Sequence, residues 1–587
     1  MRRVCRCRTL PEPARTQQPL RPRHLAFATS SWAQPSSHLG WKASPDRDVN
    51  KHGLIRTSPE AFEYVRLVLG AKVYDICKAT DLDYAPAVSS RIGNRVLLKR
   101  EDQHDVHSFK IRGAYNKIAH LTAEEKARGI VACSAGNHAQ GVAFASSALD
   151  ISAKIFMPVM TPSIKVDAVR GFANSKSEVK LVGNNYDEAY AAAMECVQSE
   201  GRVLVHPFND PLVIAGQGTI GGEILRQTTG EDVHAVFACV GGGGLLSGIG
   251  IYLKAVCPHI KVIGVEAADA AGMTASLMAG ELVELPSVGL FADGASVRKV
   301  GDETFRICDM VADEMITVST DEICGAIKDS FLDTRVVLEP AGALALAGLK
   351  KYVRQSGVRD KTLVAITSGA NMDFDRLRFV SERADTSETL LSIQIPETPG
   401  SFIRLYRCIY PRNVTEFSYR YGGEPARIFL SFQAKTDEDA QSVMKSLASE
   451  GFQAWPLVEN EMAKTHGRHL VGGRAPHPDT ENEVLLRFEF PEKPGATLAF
   501  LEALPSHLNV SLFHYRSHGA DVGRVLVGFQ VPGKQREEFR AYLQGLAGSG
   551  FRFTEETENE VYRHFFLSEP SQSARRGRPS HPPPLMM

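Results

Sequence analysis

Lys110 in the segment SFKIRGA (108–114) is the first residue whose type and setting suggest chemistry. Its amine can form a Schiff base with an aldehyde cofactor and then serve as nucleophile and proton shuttle, although a lysine beside Phe109 is ordinarily just a solvated lysine. A second segment, SAGNHAQG (134–141), follows the apolar run GIVACS and opens an Ala-rich helix. Backbone N–H groups at a helix start are unpaired and carry partial positive charge, so they suit a carboxylate. Ser134 and Asn137 add side chains that can bond a substrate carboxylate or a cofactor ring oxygen. The alternative is that Ser134 merely caps the helix, and His138 reads as a packing residue rather than a base. The third segment, VGGGGLLSG (240–248), lies between an apolar strand and an apolar helix. Its four glycines let the backbone close around an anion, and with the helix start they suit a phosphate dianion. The spacing is neither that of a dinucleotide fingerprint nor that of a P-loop.

Two further segments belong with these, EPAGALALAG (339–348) and TSGANMD (367–373). Ser368 ends a strand-like run and is placed to bond a neutral pyridine nitrogen. A hydroxyl does not hold such a ring protonated as an aspartate would, which favours loss of a β-substituent. His104 and His107 lack a third ligand at metal-site spacing, so no metal site is expected.

The elements that must position these residues can be read from the apolar pattern. The runs RVLLK (95–99), GIVACS (129–134), AKIFMPV (153–159), AVFACV (235–240), KVIGVEA (261–267) and TLVAITS (362–368) alternate with Ala-rich helical stretches. That alternation predicts an α/β region with parallel sheets covered on both faces. From about residue 386 the chain repeats itself. IPETPGSF (395–402) is answered by FPEKPGAT (490–497), NVTEFSYR (413–420) by NVSLFHYR (509–516), and ARIFLSFQ (426–433) by GRVLVGFQ (523–530). Each copy reads as a small β-α-β-β-α-β unit, a regulatory-module candidate with one duplicated structural domain as the alternative.

At 587 residues the chain needs several cores. A charged fraction of 23% and a net charge of −1 give no global pull toward nucleic acid or an anionic membrane, and small neutral or zwitterionic partners fit better. The most membrane-like stretch, 235–253, is rich in glycine and reads as strand, loop and helix start. Arg2, Arg3, Arg6, Arg8, Arg15, Arg21 and Arg23 precede Asp46 with Glu12 as the sole acid, the pattern of an organelle transit peptide, with a disordered basic arm as the alternative. The expected division is a leader at 1–50, a catalytic region at 51–385, two repeats at 386–465 and 480–568, and a disordered Pro- and Arg-rich tail at 569–587.

The order SFK, SAGNHAQG, GGGGL, EPAGA and SGAN resembles the fold-type II pyridoxal-phosphate enzymes, and specifically the biosynthetic threonine deaminases (threonine ammonia-lyases), over about residues 60–568. KREDQHDVHSFKIRGAYNK, VIAGQGT, GDETFRIC and HYRSHGADVGRVL support it. The resemblance implies two parallel-sheet lobes followed by two ACT-like domains, with pyridoxal 5′-phosphate as cofactor. It implies conversion of L-threonine to 2-oxobutanoate and ammonia, the first committed step of isoleucine biosynthesis, with L-serine also deaminated to pyruvate. Lys110 is then the catalytic, cofactor-bearing residue and Phe109 packs beside the ring. Asn137 contacts the ring hydroxyl, Gly241, Gly242, Gly243, Gly244 and Leu245 cradle the phosphate, and Ser368 meets the pyridine nitrogen. Ser134, Ala135, Gly136, Asn137 and His138 take the substrate carboxylate. Isoleucine, with valine as a second candidate, is the implied effector, and a homotetramer the implied assembly. Tyr419 and Tyr515 hold the same place in the motif N-V-x-x-F-x-Y-R and are the expected effector contacts at the facing edges of the repeats, core packing being the alternative. A plastid is the favoured destination and a mitochondrion the alternative.

The sequence departs from the family at Thr80, Asp81 and Leu82, around Ala173 to Glu178, and at GASV (294–297), none of which is expected to touch the cofactor residues. Rival readings are a catabolic threonine/serine dehydratase, a serine racemase, a β-substituting synthase and, from another class, an amino-acid sensor without catalysis.

Overall fold

The computed structural model describes residues 40–42, 59–384, 388–396, 398, 400–420, 426–434, 436–457, 482–491, 500–502, 508–516, 522–548 and 552–559. The tail, and the leader apart from residues 40–42, lie outside the described residues. Described residues up to Thr320, together with Leu344–Gly369, form one compact unit, and Asp321–Ala343 with those from Ala370 onward form a second.

Each of the six apolar runs of the first unit is a strand, and they divide between two sheets. The larger has the order Gly40–Lys42, Glu314–Val318, Lys261–Ala267, Val233–Cys239, Thr362–Ile366, Arg95–Lys99 and Leu82–Tyr84. Its inner five strands are parallel and its two edge strands antiparallel. Ala235 to Cys239 and Leu363 to Ile366 are buried without alternation, the mark of a strand covered on both faces. The smaller sheet is wholly parallel, in the order Glu178–Leu181, Ala153–Met157, Ile130–Cys133 and Val203–Leu204. Its central strand shows how both faces are used. Ile130 and Ala132 pack with Val142 and Val166, whereas Val131 and Cys133 pack with Ala189, Ala193 and Cys196.

Three helices carry the machinery of this unit, Lys110–Ala119, Pro211–Gln227 and Gly244–Val256. They meet backbone to backbone: a Cβ at Gly216 would lie 2.7 Å from the Arg112 carbonyl, and one at Gly248 would lie 2.7 Å from the Gly218 nitrogen. Such close approach leaves Lys110's helix little freedom to slide.

The second unit holds both repeats in one antiparallel eight-stranded sheet. Its order is Gln453–Pro456, Glu388–Ile395, Ala426–Gln433, Val414–Arg420, Asn509–Arg516, Val522–Gln530, Glu483–Pro491 and Arg552–Glu555. Each repeat contributes four neighbouring strands, and the seam is the pairing of Val414–Arg420 with Asn509–Arg516. Helices Ser401–Ile409, Asp437–Ser449 and Arg536–Gly548 fall where the β-α-β-β-α-β pattern puts them, and residues 500–502 are helical at the remaining place. Even the bulge is duplicated, at Val414/Glu416 and at Val510/Leu512. Among the described residues no helix is long and apolar enough to cross a membrane.

Candidate active site

Ligands of parallel α/β sheets sit beyond the carboxyl ends of the strands, where the connecting segments leave. Three adjacent strands deliver the predicted residues there. Thr362–Ile366 runs into Thr367, Ser368 and Gly369, Val233–Cys239 runs through Val240 into the glycines, and Arg95–Lys99 leads to the segment that ends at Lys110. Backbone bonds join the first and last of these: the Phe109 N–H donates to the Ser368 carbonyl at 3.1 Å, and Ser108 bridges Gly369. Lys110 therefore starts its helix from a backbone tied to Ser368. Its Nζ donates to the Pro207 carbonyl at 3.0 Å and lies 5.2 Å from the centroid of the buried Phe109 ring.

The glycine segment is shaped by what surrounds it. Gly243 has φ of +94°, a left-handed conformation that favours glycine. A Cβ on Gly242 would overlap the Phe208 ring, and one on Gly241 would come within 2.9 Å of the Ala295 Cα. Ala295 belongs to the GASV departure, so the expectation that this departure stays clear of the cofactor residues is corrected: it packs on the first glycine of the cradle. The Thr304 hydroxyl donates to the Gly242 carbonyl at 2.6 Å. Helix Gly244–Val256 begins with no side-chain cap, Leu245 buried in its first turn. An uncapped helix start behind a glycine turn offers N–H groups to a dianion, which fits the phosphate of the implied cofactor.

Ser134, Ala135, Gly136 and Asn137 are half-buried and line the start of helix Asn137–Ala148, which also lacks a side-chain cap. The Ser134 hydroxyl accepts from the Gly136 N–H at 3.3 Å instead of capping that helix, so the simple capping alternative does not hold. A Cβ on Gly141 would lie 3.2 Å from the Lys110 carbonyl carbon, so this helix packs directly on Lys110's. His138 is buried and its Nε2 lies 2.8 Å from the Val205 carbonyl. That contact needs an Nε2 proton. Burial, aided by the Lys110 cation, pushes its pKa down to about 3, so the ring is neutral and its Nδ1, which meets no hydrogen-bond partner, is an acceptor.

Behind Lys110 lies a buried ion network that the sequence reading did not assign. Arg112 forms two-pronged pairs with Glu101, at 2.7 and 2.8 Å, and with Glu223, at 2.6 and 3.0 Å. Lys99 reaches Glu223 at 2.6 Å, and Thr80 donates to Glu101 at 2.8 Å. The arginine holds both carboxyls below their usual range against the opposing pull of burial. The loop His206–Asn209 was missed as well. It supplies the Pro207 carbonyl, the Phe208 ring against the glycines, and the Asn209 side chain that accepts from Glu303 N–H at 3.1 Å. Nothing local marks this loop except the Asp210–Pro211 helix start. Tyr419 and Tyr515, at 2% and 3% exposure, lie inside the apolar core of the repeat sheet, where Tyr419 meets Phe402 edge-on at 4.8 Å. The side chains of Arg420 and Arg516 lie outside the described residues.

Known proteins complete the picture. The family described as pyridoxal-phosphate dependent enzyme matches residues 73–369, and the C-terminal regulatory domain of threonine dehydratase matches twice, at 381–466 and 477–566. The biosynthetic L-threonine dehydratase IlvA of Burkholderia multivorans is 49% identical over 507 residues, covering 86% of this chain and 99% of the relative. The chain belongs to the threonine dehydratase family of pyridoxal-phosphate-dependent enzymes. Within that family, the mitochondrial threonine dehydratase of Saccharomyces cerevisiae is 48% identical over 521 residues, 86% of this chain and 89% of the relative. The chloroplastic threonine dehydratase 1 of Solanum lycopersicum is 46% identical over 507 residues, 86% and 82% respectively. Among solved structures, the processed threonine deaminase isoform 2 of Solanum lycopersicum is similar with a TM-score of 0.54 and 46% identity, over 56% of this chain and 89% of that one. The fold is thus the fold-type II catalytic region followed by a duplicated antiparallel regulatory region, and the family's cofactor is pyridoxal phosphate.

Proposed function

We propose that the protein is a threonine ammonia-lyase that removes water and then ammonia from L-threonine to give 2-oxobutanoate, with L-serine as a second substrate. The observation that carries this reading is the tie between Lys110 and Ser368 beside an uncapped glycine cradle, in a chain that continues into two regulatory repeats. Pyridoxal phosphate, when bound, supplies an electron sink next to the substrate's Cα. Gly241 to Leu245 would hold its phosphate, with Phe109 beside its ring, Asn137 at its hydroxyl and Ser368 at its nitrogen. Ser134 and the N–H groups of residues 135–138 fix the substrate carboxylate, which presents Cα to the Lys110 amine for proton removal. The single ring proton of neutral His138 is engaged with the Val205 carbonyl, so proton movement falls to Lys110.

Residues 51–385 make up the catalytic region in this reading, and 386–465 and 480–568 the two ACT-like domains, which bind isoleucine or valine as feedback effectors. A homotetramer is the assembly, and residues 1–50 direct import into an organelle, a plastid before a mitochondrion. The names of the tomato and yeast relatives support import into one or the other. Purified protein assayed with L-threonine for 2-oxobutanoate, with and without isoleucine, tests the core of this reading. A protein that binds the cofactor yet makes no 2-oxobutanoate overturns the activity, and indifference to isoleucine and valine overturns the regulation. A cytosolic reporter carrying residues 1–50 overturns the import reading.

A further inference from the structure

Cys239 closes the strand Val233–Cys239 next to the strand that leads to Ser368, so the two residues leave the sheet side by side. Both are buried, Ser368 at 2% and Cys239 at 7% exposure, and the Cys239 thiol donates to the Ser368 Oγ at 3.3 Å. Two residues further along, the same segment enters the glycine cradle. The Ser368 main chain is fixed too, because its carbonyl accepts the Phe109 N–H. The direction of the Ser368 hydroxyl proton decides whether Oγ donates or accepts toward a ring beside it.

We infer that Cys239 is a positioning residue that sets that direction and makes Ser368 a donor to the cofactor's ring nitrogen; the inference rests on the proposed role of Ser368. A serine hydroxyl has one proton and two lone pairs, and a thiol has one weakly donated proton. When the thiol proton enters an Oγ lone pair, the hydroxyl's own proton is left for another acceptor. The result is a chain running from S–H to O–H to the ring nitrogen, in which each bond polarises the next in the same direction. A protonated ring nitrogen would need Oγ as its acceptor, and the hydroxyl proton would then have to turn away from both the thiol and the ring. The thiol therefore favours the unprotonated ring, the state in which the electron sink is moderate and departure of a β-hydroxyl is preferred over deeper charge delocalisation. Nothing covalent happens at the sulfur in this role. It follows that an oxygen donor at the same place should serve as well, whereas a side chain of similar size with no proton to give should not.

The experiment compares full-length Cys239→Ala and Cys239→Ser, each reconstituted with pyridoxal phosphate. The readouts are the cofactor's equilibrium dissociation constant, its visible absorption spectrum from neutral to alkaline pH, and thermal unfolding of the apoprotein. Cys239→Ala should weaken cofactor binding about two- to tenfold, the scale of one net hydrogen bond, and should alter the pH dependence of the spectrum. Cys239→Ser should restore both. In a Ser368→Ala background, Cys239→Ala should produce no further change in either. A purely structural cysteine would instead lower apoprotein stability in both variants and leave the spectrum alone, and that result overturns the proposal. If Ser368→Ala itself leaves binding and spectrum unchanged, the role of Ser368 is what fails; if Ser368→Ala alters them and Cys239→Ala does not, Cys239 alone is excluded.

Discussion

In the catalytic unit, Lys99, Glu101, Arg112 and Glu223 are withdrawn from water and bound to one another, the shortest contact of each ion pair being 2.6 or 2.7 Å. In the repeat sheet the largest fully buried side chains are instead Phe417, Phe432, Phe488, Phe500, Phe513 and Phe529. Their rings meet across the seam, Phe417 to Phe513 at 4.9 Å. An ion network with paired guanidinium prongs has one satisfied geometry and is costly to leave half-made. Aromatic packing tolerates small shifts at lower cost. The first suits a lysine that must not wander, and the second suits a module whose state has to change when an effector binds.

The largest expected effect is at the reacting amine. Lys110→Ala should lower turnover by at least about 10²–10⁴-fold, the scale of losing a positioned proton-transfer group, and should remove the visible band of the bound cofactor while circular dichroism stays native. Near-normal deamination by this variant would remove the catalytic half of the comparison altogether.

Next comes the network itself. Arg112→Met should destabilise the protein by about 3–5 kcal/mol in urea unfolding at neutral pH, because two buried carboxylates lose their counter-charge. The pH dependence has a definite sign. Both carboxyls are held below the usual range in the folded wild type, so the stability they contribute is present above about pH 4.5, near their unfolded pKa, and is lost as pH falls through their depressed folded values. The gap between wild type and variant should therefore narrow in acid. A gap that stays constant from neutral pH down to acid would mean that the arginine acts through packing and not through charge.

Much of this architecture was legible in the residues. All six apolar runs became strands because a strand covered on both faces must be apolar at every position, and the repeat offset brought out the second unit because duplicated turns and aromatics survive in sequence. The glycine cradle and the Lys110 and Ser368 segments were legible because their chemistry depends on local residue types. The ion network was not, since Glu101, Arg112 and Glu223 meet only after helices Lys110–Ala119 and Pro211–Gln227 pack against the turn that follows strand Arg95–Lys99, and a charged residue on a helix usually faces water. The Phe208 contact with Gly242 joins segments separated in the same way. Tyr419 and Tyr515 show the limit most sharply: a shared place in a motif identifies equivalent residues but does not tell which face of the sheet they occupy.

That limit sets the third test. Because both tyrosines lie in the core, replacement by alanine should cost about 3–5 kcal/mol whether or not they touch an effector. Phenylalanine keeps the ring and removes the hydroxyl, and should cost about 1 kcal/mol or less. If Tyr419→Phe and Tyr515→Phe keep full sensitivity to isoleucine, a hydroxyl contact is excluded and the aromatic core is structural. If sensitivity falls several-fold at unchanged stability, the hydroxyls belong to the effector site.

The smallest expected effect separates the two repeats from each other. In the first, the Glu388 carboxylate accepts from the hydroxyls of Thr415 and Ser431, the latter at 2.6 Å. In the second, Glu483 accepts from Ser511, and Gly528 stands opposite Leu485 where Ser431 stands opposite Leu390. A Cβ at Gly528 would lie 2.8 Å from the Glu483 Oε1 and from the Ser511 Oγ, so the second repeat has closed over the space that the first gives to a side chain. Ser431→Ala should thus cost about 1 kcal/mol through one lost hydrogen bond. Gly528→Ser should not recover the corresponding bond, because its Cβ must first push the carboxylate aside. Urea midpoints of the two variants measure this, and half-inhibiting isoleucine concentrations show whether the asymmetry reaches the effector. Should Gly528→Ser stabilise the protein as much as Ser431→Ala weakens it, the two polar sites are interchangeable and the repeats are equivalent halves; loss in both variants means that each repeat is tuned to its own side chains, and effector binding to the two need not be alike.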